Sequence, residues 1–121
     1  MAETILSTKS LDFSIRIINL SKYLQEKKEF IMSKQIVRSG TSIGANIREA
    51  KFAQSDLDFI HKMSIALKES NETLYWLELL YRTDYISKQH YLEMRNDCEE
   101  LLRILHSTVV TCKKKLNNQN K

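Results

Sequence analysis

Proline is absent from all 121 residues, and the two glycines of the chain lie four apart, at Gly40 and Gly44. Proline is the residue that most forcibly breaks a helix, so a chain without it can run as helix almost anywhere. Two glycines set together in such a chain point to a close approach of two backbones. They sit in the segment Arg38-Ser-Gly-Thr-Ser-Ile-Gly-Ala-Asn-Ile-Arg-Glu-Ala50. This pattern constrains architecture far more than chemistry.

Hydrophobic periodicity resolves four helices. Phe13, Ile17, Leu20 and Leu24 repeat at four, three and four residues and predict a helix over about 10–27. Leu11, Ile15 and Ile18 are expected to widen its apolar face. A second helix is predicted over about 29–53. Ile36, Val37, Gly40, Ile43, Gly44 and Ile47 share one side of it, and Lys34, Arg38, Thr41, Ala45 and Arg48 share the other. Glycine inside a helix costs about 1 kcal/mol relative to alanine. Ser39, Thr41 and Ser42 are also weak helix formers, so packing must hold this helix and Gly40 and Gly44 are read as close-packing residues.

The third helix is predicted over about 55–83. Ser55 can cap it, with Asp58 three residues on, and Ile60, Met63, Leu67, Leu74, Leu77 and Tyr81 form its stripe. The fourth is predicted over about 88–116 after a cap at Ser87. Tyr91, Met94, Cys98, Leu101, Leu105, Thr108 and Cys112 give it a heptad-like seam. Residues 117–121 are expected to fray. Short connections between four amphipathic helices imply an all-α, antiparallel up-down-up-down four-helix bundle, one domain over 1–121.

Ile65, Trp76 and Leu79 fall well away from the stripe of the third helix. A tryptophan-centred apolar group left outside a bundle core is expected at a subunit interface. Charge is segregated in the same sense. Residues 1–54 hold nine Lys/Arg against five Asp/Glu, and residues 55–112 hold six against ten. A basic hairpin and an acidic hairpin can face each other between subunits, a heterologous contact that closes rings.

Catalytic chemistry is largely excluded. A di-iron bundle needs two Glu-x-x-His motifs, and the nearest match is a single Asp58-x-x-His61. His90 and His106 lack metal-ligand partners at helical spacing. Gly40 and Gly44 lack the lysine and the preceding strand of a phosphate loop. Cys98 and Cys112 lie fourteen residues apart on one helix, about 21 Å, too far for a disulfide, which needs Cα atoms within about 7 Å. No enzyme activity, cofactor, metal or small-molecule substrate is expected. No apolar run reaches the ~18 residues of a membrane helix and the N-terminus does not read as a signal peptide, so a cytoplasmic protein is expected. The formal net charge of +4 permits a polyanionic partner. Lys34, Arg38, Arg48 and Lys51 are the candidate phosphate contacts. The competing reading is that these cations serve subunit contacts in a protein-binding scaffold.

The segment Ser33–Ala50, ending Gly-Thr-Ser-Ile-Gly-Ala-Asn-Ile-Arg-Glu-Ala, closely resembles the signature of the four-helix-bundle family named for the 23S rRNA intervening-sequence protein. Asp58–Leu80 is similar to a second block of that family. The resemblance implies a bacterial cytoplasmic protein that assembles as a homopentameric ring. It also implies RNA or a nucleic-acid enzyme as partner, as in the related accessory protein of diversity-generating retroelements. It carries over no catalytic residue. The chain departs from the family where Gln25–Glu29 lacks the usual loop proline and where Arg48-Glu-Ala50 replaces Ala-Glu-Gly.

Overall fold

The structure is a computed structural model that describes residues 2–119. Its regular structure is all α-helical: α1 (Ala2–Glu26), α2 (Ile31–Ala50), α3 (Asp56–Arg82) and α4 (Lys88–Gln119). No strand occurs among the described residues. α1 packs on α2, α2 on α3 and α3 on α4, while α1 meets α4 along a thinner seam. The backbones of α1 and α3 do not approach each other.

Side-chain pairs set the register. Across α1 and α2, Ile17 lies against Gly40, Ser10 against Gly44 and Ser21 against Ser33. Across α2 and α3, Arg38 reaches Glu69 and Glu72, Ser39 meets Thr73, and Glu49 meets Lys62. The core fills with Phe13, Ile17 and Leu24, then Ile36 and Ile43, then Met63 and Leu77, then Met94, Cys98 and Leu105.

Two connections close without glycine. After α1, Lys28 takes a left-handed backbone (φ 63°). The Glu29 N–H then bonds back to the Leu24 carbonyl at 2.9 Å, the long bond of a Schellman motif. After α3, Asp84 does the same (φ 67°), with the Tyr85 N–H on the Leu80 carbonyl. The remaining connection tightens through successive short bonds, from Lys51 N to Arg48 O through Ala53 N to Ala50 O.

The caps follow the sequence at α3 and α4. Ser55 Oγ accepts from the Asp58 N–H at 3.1 Å, and the Asp58 carboxylate accepts from the Gln54 N–H. Ser87 Oγ accepts from the His90 N–H. At α2, Glu29 does the work of a cap, its carboxylate accepting from the Ser33 N–H at 2.9 Å.

Four expectations are corrected. α1 begins at Ala2, not near residue 10. Leu6 is fully buried and extends the apolar stripe by two turns, and Ser10 is an interior residue whose hydroxyl bonds to the Ser7 carbonyl. α2 spans Ile31–Ala50 rather than 29–53, because the turn that closes α1 consumes Glu29 and the turn after Ala50 is too tight to continue α2. Residues 117–119 are helical, while 120 and 121 lie outside the described residues. Finally, Leu11, Ile15 and Ile18 do not widen the core face. They stand 52%, 52% and 38% exposed on the far side of α1.

Candidate nucleic-acid interface

The outer face of α2 carries the candidate cations because the inner face is committed to Ile36, Gly40, Ile43 and Ile47. Lys34, Arg38, Arg48 and Lys51 are all exposed. Arg48 and Lys51 sit at the C-terminal end of α2, where the helix dipole favours positive charge. Between them and Lys34, Thr41 turns its hydroxyl onto the Val37 carbonyl at 2.6 Å, and Ala45 leaves the surface low.

Arg38 differs from the other three. Its guanidinium bonds to Glu69 at 3.1 Å and to Glu72. Glu72 in turn accepts from the Trp76 indole N–H at 2.9 Å. The cation is therefore held across the α2–α3 seam. Lys34, Arg48 and Lys51 take part in no ion pair among the described residues.

This pairing also accounts for much of the charge segregation. Lys9 reaches Glu100, Arg16 reaches Asp97 and Glu93, and Arg38 reaches Glu69 and Glu72. The basic first hairpin thus meets the acidic second hairpin inside one chain. Partners 31 to 91 positions apart cannot be read from local spacing.

Ile65, Trp76 and Leu79 are each half-buried. Trp76 packs against the core while its N–H is held by Glu72. Tyr75, which the periodicity did not single out, is 60% exposed and meets Trp76 edge-on at 5.1 Å.

The two glycines have different surroundings. A β-carbon on Gly40 would lie within 3.0 Å of three side-chain carbons of Ile17. A β-carbon on Gly44 would find Ser10 and Ser14 at 3.4 Å, an ordinary contact. Gly44 instead floors a shallow groove of about 430 Å³ between α1 and α2, walled by Leu11 and Arg48. From sequence both glycines read as close-packing residues, a contact the structure places at Gly40 and not at Gly44, and nothing in the periodicity signalled this groove, whose small α1 residues, Ser7, Ser10 and Ser14, only acquire meaning beside α2.

His61 and His106 are exposed and His90 is half-buried. No cluster of three metal-binding side chains occurs among the described residues. Cys98 is buried and its thiol points at the Ser70 carbonyl, 3.3 Å away. Burial, with a smaller contribution from Glu99, pushes its pKa from 9.0 up to about 12. A thiol so placed is a poor nucleophile. Among the described residues no helix is long and apolar enough to cross a membrane.

A family model described as 23S rRNA-intervening sequence protein matches residues 3–107. No curated protein matches the chain. Among solved structures, a protein of unknown function from the S23 ribosomal protein family of Bacteroides thetaiotaomicron VPI-5482 is 58% identical, over 90% of this chain and 98% of that chain, with a TM-score of 0.88.

Proposed function

The chain belongs to the 23S rRNA-intervening sequence protein family, and from that premise we propose that it is a non-enzymatic, oligomeric RNA-binding protein of the cytoplasm. Its helices form an antiparallel up-down-up-down bundle. Supporting this, contacts across α1 and α2 run from Ser10–Gly44 to Ser21–Ser33, so the two helices descend against each other. The subunits assemble as the homopentameric ring that the family likeness suggests, with Ile65, Trp76 and Leu79 among the subunit contacts.

The observation that carries the RNA reading is the exposure of Lys34 and Arg48 on the outward side of α2 and of Lys51 at its C-terminal cap, none of them in an ion pair among the described residues. Cations in this state can neutralise phosphates and release counterions. Structured RNA is the favoured ligand, since the exposed aromatics beside these cations, Phe30 and Phe52, stand only at the two ends of the row, and base stacking along it needs several between them. Arg38 contributes less, because binding a phosphate requires it to leave two carboxylates.

A salt-titrated gel shift with a structured ribosomal RNA fragment tests this. Affinity should fall steeply with salt. Arg48→Ala with Lys51→Ala should lower the log–log slope by about 2, and Arg38→Ala should barely change it. No binding at low salt would overturn the RNA reading and leave a protein scaffold whose exposed cations serve subunit contacts.

A further inference from the structure

The C-terminal ends of α2 and α4 lie at the same end of the bundle. Ala50, Lys51, Gln54 and Ser55 face Cys112 of α4 across a shallow hollow of about 710 Å³. α4 continues past Cys112 to Gln119 and carries Lys113, Lys114 and Lys115, all exposed. At about 100° per residue, Lys113 and Lys115 stand on either side of the direction in which Cys112 points. Lys115 also lines a smaller cleft with Asp56 and Phe59. None of the three lysines takes part in an ion pair among the described residues. The acids of this end are Glu49, Asp56 and Asp58. Glu49 is held by Lys62, and the Asp58 carboxylate accepts from the Gln54 N–H. Five cations, Arg48, Lys51, Lys113, Lys114 and Lys115, therefore stand against two acids that have no cation of their own, Asp56 and Asp58.

Phe52 belongs to the same end. It is 81% exposed, more than any other large apolar side chain among the described residues. The turn beneath it is closed by three successive backbone bonds, from Lys51 N to Arg48 O, Phe52 N to Glu49 O and Ala53 N to Ala50 O. The ring is thus uncovered on a backbone that is already fixed, so little order has to be imposed when something stacks on it. It meets no other aromatic ring, and no cation sits over it, among the described residues. Phe30, at the other end of the α2 row, differs. It stands beside the exposed Ile31, and the nearby Lys27 is held over the Tyr23 ring at 4.9 Å.

We infer that this end of the bundle takes an unpaired nucleotide of a structured RNA, with Phe52 stacked on its base and Lys51 and Lys113–Lys115 on the phosphates to either side. This rests on the RNA reading proposed above and narrows the ligand to a stem that carries a loop, bulge or overhang at the Phe52 end. The paired part of the stem lies along α2, where Lys34 to Lys51 span roughly 25 Å of helix. Bases within a duplex are closed to an aromatic side chain, whereas a loop base is free to leave the stack and lie on one. A single uncovered ring between groups of cations suits that one nucleotide. A purely acidic protein partner would engage the lysines and have no use for the ring.

Two RNA hairpins with the same stem test this, one with ordinary loop nucleotides and one whose loop is abasic and keeps every phosphate. Phe52→Ala changes an exposed position in a turn, so its circular dichroism should match the wild type. It should weaken binding to the ordinary loop by about tenfold and leave binding to the abasic loop unchanged. Phe52→Trp should keep the affinity of the wild type. Lys113→Ala, Lys114→Ala and Lys115→Ala together should lower the log–log salt slope by about 2 on both hairpins, at roughly 0.7 per phosphate contact with unpaired RNA. If Phe52→Ala weakens both hairpins alike, or neither, the stack is wrong. An unchanged slope in the triple variant removes the phosphate contacts. In either case the inference fails, while the RNA reading stands so long as Arg48→Ala with Lys51→Ala lowers the slope. A loss from Phe30→Ala with none from Phe52→Ala puts the nucleotide at the opposite end and also overturns the inference. A wild type that binds neither hairpin at low salt overturns the inference and the RNA reading together, and leaves this end as a protein-docking face.

Discussion

Ile17 of α1 and Gly40 of α2 approach so closely that a β-carbon on Gly40 would sit 2.8 Å from Ile17 Cγ1, and 3.0 Å from both Cγ2 and Cδ1. Both branches of the isoleucine are involved, so a rotamer change cannot clear the space. Alanine at position 40 would gain about 1 kcal/mol of helix propensity and lose about 1–3 kcal/mol to overpacking. Gly40→Ala should therefore be net destabilising, by about 1 kcal/mol. Gly44→Ala meets only ordinary contacts and keeps the propensity gain, so it should stabilise by up to about 1 kcal/mol. Urea denaturation followed by circular dichroism checks the contrast. Equal shifts for the two variants would mean that the close approach is not what places a glycine at position 40.

The same two glycines are missing from the places where glycine is usual. Lys28 and Asp84 occupy left-handed positions at φ 63° and 67°, where a side chain costs about 1–2 kcal/mol. Lys28→Gly and Asp84→Gly should each raise stability, by roughly 0.5–1 kcal/mol after the extra freedom of the unfolded glycine is counted. The two sites lie in different connections, so the gains should add. A loss at either site would show that its side chain contributes more than its backbone strain removes.

The sequence revealed what depends on local spacing. Inward positions such as Phe13, Ile36, Met63 and Leu101 repeat at helical intervals, and Ser55 and Ser87 sit where first-turn N–H groups need acceptors. It failed where spacing is ambiguous. Leu11, Ile15 and Ile18 are apolar at helical intervals too, and only the position of α2 decides that their side of α1 faces out. Arg38 read as a free cation because its partners, Glu69 and Glu72, are brought to it by a turn and a second helix. Ser39 looked like a weak helix residue. Its hydroxyl is buried against Thr73 Oγ1 at 2.9 Å, and the Thr73 proton is directed to the Glu69 carbonyl, so Ser39 is left to donate. Such a contact is specified by the fold and leaves no trace in periodicity.

The Arg38–Glu72–Trp76 chain of contacts can be measured through the single tryptophan. Both ionic partners are about half or one-third exposed, so solvent screening limits their coupling to about 0.2–1 kcal/mol. A double-mutant cycle of Arg38→Ala and Glu72→Ala should return a value in that range, reduced by added salt. Glu72→Ala also removes the acceptor of the indole N–H, so Trp76 emission should shift to the red, whereas Arg38→Ala should shift it less. Identical spectra for Glu72→Ala and wild type would show that the indole is not held by this carboxylate in solution.

Cys98 gives the chain a pH dependence of definite sign. Its folded pKa of about 12 exceeds the ordinary 9.0, because burial penalises the thiolate and Glu99 adds to the penalty. Below pH 9 both folded and unfolded chains keep the proton, and the folded state has its full stability. Above 9 the unfolded chain releases the proton first, so stability falls as pH rises from 9 towards 12. Cys98→Ala should flatten that limb while lowering stability at pH 7 through the lost Sγ packing. The same burial predicts reactivity. At pH 8 in native buffer a disulfide reagent should modify one thiol per chain quickly, the half-buried Cys112. Cys98 should react only as fast as the chain opens, and both should react at once in denaturant. Rapid modification of two thiols in the native protein would mean that the α3–α4 seam over Ser70 opens far more readily than its packing implies.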